Sequence, residues 1–382
     1  MASLLDKIKP MSDGQRELID ALTSREYDVV GVFGPTGTGK SLLACIYGIG
    51  GVTSNTYSRF IISRPVIDVT SGKEITAIDV GELYYRIASS YLQDIIPHDV
   101  ISWSDVKKLI NEEKIVFADT HYLRGRTFDN SVVFLDDAQS VSPESTCEIL
   151  MRIGNNSKLI IAGDPIFQKD PLTGRDGATV IREVLLGEEK SKVIDLGIRD
   201  IVRPGARKGI KLLIEARMRK RELSPDERKI LDIIKTYAPD TDIVTITTLT
   251  DEKKKFEIKA EQMVDSLVIT KEGYLARLIG KKGERINRIE KDVNMRIRVV
   301  ELTLNFKDII AAIHPLPWIH KYIEEIDFKG PNLTIFIEKE GLGPILGQKG
   351  AYIRFLDSIF YKLMGIGVVI EETRRERKRQ KS

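Results

Sequence analysis

The chain has 382 residues, 42% hydrophobic and 30% charged, with a formal net charge of +3. That length accommodates two or three domains with separate cores, and no apolar run reaches the roughly 18–20 residues of a membrane span. Two distant cysteines and four scattered histidines exclude a disulfide framework and a zinc-finger spacing. Cys45 and Cys147 fall in apolar helical patterns and read as buried thiols. The opening MASLLDKIKP lacks the layout of a secretory leader, so a cytoplasmic location with no membrane partner is expected. Residues 261–382 carry about +5 and the remainder about −2, a mild bias toward a polyanion at the C-terminal end.

In chain order, Leu18, Ile19 and Leu22 mark a helical face, with Gln15 near its start. The apolar run Val29–Phe33 reads as a buried strand. It is followed by Gly34-Pro35-Thr36-Gly37-Thr38-Gly39-Lys40-Ser41 and then an apolar helical pattern. This is G-x-x-x-x-G-K-[ST] between strand and helix, a phosphate-binding loop. Its glycines let backbone N–H groups turn inward around phosphate oxygens, and the following helix aims its N-terminal dipole at the same anion. Lys40 is expected on the β- and γ-phosphates, and the Ser41 hydroxyl on Mg²⁺.

A second strand is expected over Arg59–Ser63, ending in Arg64-Pro65. A polar loop follows at 68–79, a helix at 81–96, a strand at Lys114–Ala118 and a basic loop at 121–127. Val132–Leu135 then ends in Asp136-Asp137, carboxylates at the tip of a buried strand. Beside a phosphate loop that is where Mg²⁺ is held, by Asp136 through water, and Asp137 is placed to orient the attacking water. Acid pairs also cap helices, and residues 138–144 look like a helix approach. The strand Lys158–Ala162 ends in a tight turn carrying Asp164 and Gln168, both candidates to sense the γ-phosphate. Ile194–Leu196 leads to Arg203, a candidate cation for charge developing on the transferred phosphoryl or a surface salt-bridge partner. Strands alternating with helices, with polar groups at strand C-termini, predict an α/β fold with a mostly parallel sheet and the ligand at its carboxyl edge.

Residues from about 10 to 217 resemble the PhoH-like family of P-loop ATPases, related to superfamily 1 helicase cores. The resemblance rests on GPTGTGKS, SRPV at 63–66, YLRGRTF at 122–128, FLDDAQS at 134–140, RIGNNSKLIIAGDPIFQ at 152–168 and DIVR at 200–203. It implies ATP and Mg²⁺ as ligands, and Lys40, Asp136, Asp137, Gln168 and Arg203 as catalytic groups. In helicase-like ATPases a glutamine placed as Gln15 is reads the adenine edge, although its position equally fits a solvated polar residue at a helix start. The family's usual DEAQ is here Asp136-Asp137-Ala138-Gln139, one methylene shorter at the second acid. Its sensor glutamine usually follows the aspartate by three residues, whereas Gln168 follows Asp164 by four.

Residues 218–260 are charge-rich, with one helix over Ser224–Tyr237 and a strand over Asp242–Thr248; they read as a connecting subdomain or part of the next domain. Two later segments repeat one another as strand, helix, G-x-x-G, helix, strand. Their loops are Gly280-Lys281-Lys282-Gly283 and Gly347-Gln348-Lys349-Gly350. A bare G-x-x-G occurs roughly twice by chance at about 7% glycine, so the weight lies in the repeat. Such loops bring backbone close to a sugar–phosphate chain while lysines add charge. The apolar Ile279 and Ile286, or Leu346 and Ile353, lie alongside to pack unstacked bases. The segments look like KH domains in a NusA-like tandem. Trp318, near prolines, reads as a core anchor or a base-stacking residue. The tail Arg374–Lys381 reads as a basic extension.

The domain expectation is an ATPase domain at 1–217, a connector at 218–260, KH-like domains at 261–301 and 302–373, and a basic tail at 374–382. The resemblances imply an RNA-dependent ATPase or RNA helicase that binds single-stranded or structured RNA and assembles as a homo-oligomeric ring such as a hexamer. The alternative is an RNA-binding adaptor whose conformation is switched by ATP with little hydrolysis. A small-molecule kinase leaves the repeat unexplained.

Overall fold

A computed structural model describes residues 4–67, 74–75, 81–119, 127–168, 177–260 and 263–373. The expected polar loop at 68–79, the basic loop at 121–127 and the tail at 374–382 fall wholly or largely outside the described residues. The chain divides into two compact units, Met1–Arg207 with Phe328–Pro331, and Lys208–Asp327 with Asn332–Ser382. The division falls inside the helix Pro204–Lys220, ahead of the boundary expected at 217.

The first unit is built on β1 (Val29–Phe33), β2 (Arg59–Ser63), β5 (Ile115–Ala118), β6 (Ser131–Leu135), β7 (Lys158–Gly163) and β8 (Ser191–Asp195), with a short antiparallel ribbon of β3 (Val66–Ile67) and β4 (Glu74–Ile75). The six long strands lie in the order β5-β2-β6-β7-β1-β8, every pair parallel. Both faces of this sheet are covered, which is why its strands read as unbroken apolar runs. Successive residues alternate between two cores. Val30, Val32, Phe60, Ile62 and Phe134 join one cluster, while Val29, Phe33, Ile61, Val133 and Leu135 join the other.

The helix Lys40–Thr53 buries Leu43, Ile46 and Ile49 in the first cluster. The helix Gly177–Leu185 buries Ala178 and Ile181 in the second. The helix Asp13–Thr23 is tied to β7 at its far end, where the Lys158 ammonium donates to the Leu22 and Ser24 carbonyls at 2.8 and 2.7 Å. Burial there pushes the Lys158 pKa down to about 8, against the pull of Asp28. Two helices carried signals that the apolar pattern does not reveal. Trp103–Asn111 starts at Ser102, whose side chain accepts from the Asp105 N–H, and Pro204 opens Pro204–Lys220. Cys45 is buried as expected, but Cys147 is only half-buried on the short helix Pro143–Leu150.

In the second unit, β9 (Ile243–Thr248), β10 (Ser266–Thr270) and β11 (Ile297–Glu301) form a sheet ordered β11-β10-β9; β10 is parallel to β11 and antiparallel to β9. The connector at 218–260 therefore supplies a strand to the sheet of the first repeat. Its helix Pro225–Tyr237 also supplies core residues, with Ile230 and Ile234 packing in one cluster with Ile246, Val268, Leu278 and Ile289. The second repeat pairs β12 (Ile323–Lys329), β13 (Asn332–Ile337) and β14 (Gly367–Glu372) in that order, with β13 and β14 parallel. Both repeats thus share helix, strand, strand, helix, G-x-x-G, helix, strand, an α+β module each, and the first inserts a short helix, Thr250–Lys255, between its first two strands. Among the described residues no helix is long and apolar enough to cross a membrane.

Candidate functional site

The strand order decides which tips meet. β1 lies beside β7, β7 beside β6 and β6 beside β2, so the groups just beyond these four strands gather at the carboxyl edge of the sheet. With Arg203, which follows β8 on the other side of β1, they line a cleft of about 410 Å³ containing Lys40, Ser41, Asp136, Asp137, Asp164 and Gln168. Most of the residues expected to act together are therefore brought together.

The phosphate loop is held by its neighbours. The Gly34 N–H donates to the Gly163 carbonyl at 3.0 Å, and the Gly37 carbonyl accepts from the Val202 N–H at 3.0 Å, which sets Arg203 beside the loop. Gln15 lies under it and is not a solvated residue, being only 6% exposed. Its amide Nε2 donates to the Thr38 carbonyl at 2.9 Å and its Oε1 accepts from the Met11 N–H at 2.8 Å. Gly39 has φ +90°, and a Cβ there would sit 2.9 Å from Gln15 Nε2, so both backbone conformation and space require glycine. The Lys40 ammonium donates to the carbonyls of Gly34 and Pro35 at 2.7 and 2.8 Å. Burial pulls its pKa down, and the charges of Asp164, Asp136 and Asp137 oppose that pull.

Asp136 is 3% exposed. Its Oδ1 accepts from Ser41 Oγ at 3.1 Å and its Oδ2 from the Tyr91 hydroxyl. Burial raises its pKa and the neighbouring Asp137 adds to the rise, while Arg64 opposes it. A buried carboxylate whose charge is under-compensated, facing a hydroxyl across 3.1 Å, is chemically suited to a hard divalent cation. Among the described residues no cluster of three or more His, Cys, Asp or Glu forms a protein-only metal cage. Mg²⁺ needs none, since it binds through one or two protein oxygens plus substrate phosphates and water.

Asp137 adopts the left-handed conformation, φ 52° and ψ 44°, and its side chain makes no cap bond to the short helical turn Ala138–Ser140. The capping alternative is thus not realised; Ser142 caps the helix that follows. The Asp137 carboxylate is turned instead to Arg64, whose Nε and Nη2 reach Oδ2 at 2.7 and 2.6 Å. Gln139 Nε2 donates to Asp137 Oδ1 at 3.1 Å and to Gln168 Oε1 at 2.9 Å, and Gln139 Oε1 accepts from the Asp164 N–H at 3.0 Å. Asp164 Oδ1 accepts from the Ile166 and Phe167 N–H groups and shapes the turn that presents Gln168. Arg64, Tyr91 and Gln139 also line or brace this site, although no local sequence pattern gives them a role.

The two G-x-x-G loops have matching backbones. Gly280, Lys282 and Gly283 have φ of 75°, 53° and 80°; Gly347, Lys349 and Gly350 have 69°, 52° and 72°. The first glycine is required by the side chain five residues on: a Cβ at Gly280 would meet Arg285 at 2.8 Å, and one at Gly347 would meet the Tyr352 ring at 2.4 Å. Lys281, Lys282, Gln348 and Lys349 are exposed, and Ile279, Ile286, Leu346 and Ile353 beside them are half-buried.

A family model described as PhoH-like protein matches residues 7–215. The chain is 32% identical over 200 residues to a PhoH-like protein of Bacillus subtilis, covering 52% of this chain and 60% of that one. It is 30% identical over 218 residues to a PhoH-like protein of Synechocystis, covering 56% and 63%. The chain thus spans about 60% of the length of these relatives. Among solved structures it is similar to the Hef helicase domain of Pyrococcus furiosus at 14% identity and a TM-score of 0.30, over 77% of this chain and 54% of that one. At that score the likeness has no functional weight.

Proposed function

The chain belongs to the PhoH-like protein family, and from that premise we propose that it is an RNA-binding ATPase, with nucleotide handled at the carboxyl edge of the six-stranded sheet and RNA at the two G-x-x-G loops. The observation that carries the first half is the meeting of Lys40, Ser41, Asp136 and Asp137 in one cleft. Water attacks the γ-phosphorus of ATP and the bond to the β-phosphate oxygen breaks, giving ADP and phosphate, with the water's proton passing to phosphate and solvent. Lys40 leaves its carbonyl partners to neutralise the β- and γ-phosphates, and the loop N–H groups hold the same oxygens. Ser41 and Asp136 would hold Mg²⁺, which supplies charge neutralisation of the phosphates when bound. Asp137 orients the water, Gln139 connects it to Gln168, and Arg203 at the loop's edge meets charge developing on the phosphoryl. Gln15 fixes the loop through Thr38, so adenine recognition by the same amide is shared with a structural task.

Both G-x-x-G loops present left-handed lysines ahead of a helix N-terminus, next to half-buried apolar side chains. This supports the reading of the second unit as a KH-type tandem that grips single-stranded RNA. Charge reversal at Lys281 and Lys282 is expected to weaken binding of a fluorescently labelled single-stranded RNA by roughly tenfold or more and to flatten its salt dependence. Unchanged affinity in that titration would remove the first loop from the RNA site. A second reading, an adaptor switched by ATP with little turnover, draws support from one feature. Both oxygens of Asp137 are already engaged by Arg64 and Gln139. Phosphate release by the wild type against Lys40→Ala separates the two.

A further inference from the structure

We infer that Arg64 is a positioning residue for the proposed hydrolysis, aiming the short Asp137 carboxylate at the attacking water; this rests on the ATPase reading above. A glutamate at this place would extend about 1.5 Å further. An aspartate must be presented by its surroundings, because its carboxylate otherwise turns freely through a broad two-fold torsion. Here that freedom is removed from both sides. Arg64 Nε and Nη2 fix Oδ2 at 2.7 and 2.6 Å, and Gln139 Nε2 fixes Oδ1 at 3.1 Å. Asp137 itself sits in a left-handed conformation, φ 52° and ψ 44°, and spends no side-chain bond on capping the turn that follows.

Arg64 is itself held. It follows β2 directly, where Ser63 pairs in register with Leu135 of β6, so its Cα is fixed relative to the acid pair. Its guanidinium lies over the Tyr91 ring, 4.2 Å from the centroid. The Tyr91 hydroxyl donates to Asp136. Burial works against the Arg64 charge, but Asp137 and Asp136 outweigh it and hold its pKa above the ordinary guanidinium value. One planar cation thus ties the water-orienting acid to the metal-side acid through an aromatic seat, an arrangement a lysine cannot reproduce because it lacks the two-pronged fork.

The experiment is steady-state ATP hydrolysis by the full chain carrying Arg64→Ala, Arg64→Lys, Asp137→Glu and the double Arg64→Ala/Asp137→Glu, with affinity for a non-hydrolysable ATP analogue as the check on an intact pocket. Misplacement by about 1 Å is enough for a loss of about 100-fold. Arg64→Ala is accordingly expected to lower kcat by about 10- to 100-fold with KM and analogue affinity within about threefold, and Arg64→Lys to recover only part of it. On the Asp137→Glu background, where the longer side chain supplies the reach, Arg64→Ala is expected to cost less than about threefold, the non-additivity of two residues acting together. Equal losses on both backgrounds, a raised KM with kcat unchanged, or no change at all would each overturn the inference. Wild-type turnover that does not depend on Lys40 overturns the ATPase reading and the inference with it; Lys40-dependent turnover with Arg64→Ala at the wild-type kcat overturns the inference alone.

Discussion

Replacing Lys40 with alanine is expected to lower ATP turnover by at least about 100- to 1,000-fold, the range seen when one preorganised donor to a transition-state oxyanion is removed. In the structure the Lys40 ammonium sits on two carbonyls of its own loop, those of Gly34 and Pro35, 2.7 and 2.8 Å away. Neutral carbonyls are weak partners for a buried ammonium whose pKa burial already pulls down. A triphosphate offers it full negative charge instead. The cation is therefore preorganised without being trapped, and its loss falls on the charged transition state more than on the fold. Phosphate release measured beside thermal unfolding checks this: turnover collapses while the melting temperature of the first unit holds. A variant that keeps more than a tenth of wild-type turnover would show that another cation, such as Arg203, carries the charge.

The second large effect concerns stability. Glu227 is fully buried in the second unit, where N–H donors and cations surround its carboxyl. Its Oε2 accepts from the Ser224 N–H at 2.9 Å and from Arg221 Nη1 at 2.9 Å; its Oε1 accepts from the Thr248 N–H at 3.1 Å and lies 3.2 Å from Lys362 Nζ. One carboxylate thus closes a capping box on the helix Pro225–Tyr237, ties that helix to β9 and meets a lysine from the helix Ala351–Met364 of the second repeat. Removing one member of a buried charge network leaves the others uncompensated, which costs about 3–5 kcal/mol. Glu227→Ala is expected to destabilise the second unit by that amount in chemical denaturation, and Glu227→Gln by less, because the amide oxygen still accepts from a backbone N–H. A loss below about 1 kcal/mol for Glu227→Ala would mean that Arg221 and Lys362 find solvent instead.

Glu227 also gives a pH dependence of known sign. Burial pushes its pKa up, but the Ser224 N–H and the charges of Arg221 and Lys362 outweigh burial and set it below the ordinary 4.5. A carboxylate with a depressed folded-state pKa contributes stability that is complete above its unfolded value and lost as pH falls through the folded one. Acid unfolding of the wild type below pH about 4.5 is therefore expected to be blunted in Glu227→Gln.

The ease with which the site was read from sequence tracks how local its chemistry is. The phosphate loop, its lysine and the acid pair are contiguous motifs flanked by apolar runs, and they lie where a parallel sheet must place them. Arg64 is visible as the basic residue ending a strand and as part of SRPV, with nothing local to give it a partner. Its partner Asp137 is 73 positions away, and the two meet because β2 and β6 are neighbours, a fact of strand order that no local pattern contains. Gln139 was hidden for a related reason, since its amide bridges two strand tips. In the second unit the repeats were legible from G-x-x-G and apolar periodicity. The 218–260 segment was legible as a helix and a strand but only as either a connector or part of the next domain, because β9 joins β10 by an antiparallel pairing across the charged stretch at 251–260. Gln15 shows the converse limit: a polar residue at a helix start looks solvated until the loop that its amide supports is known.

The measurement that tests the coupled account most directly is steady-state ATP hydrolysis by the full chain with and without single-stranded RNA. The account predicts a Lys40-dependent rate that RNA raises several-fold, with the increase lost in the chain carrying Lys281→Glu and Lys282→Glu. A rate that stays near zero in both conditions, while ATP still binds, would contradict it and leave an ATP-switched RNA adaptor as the better account.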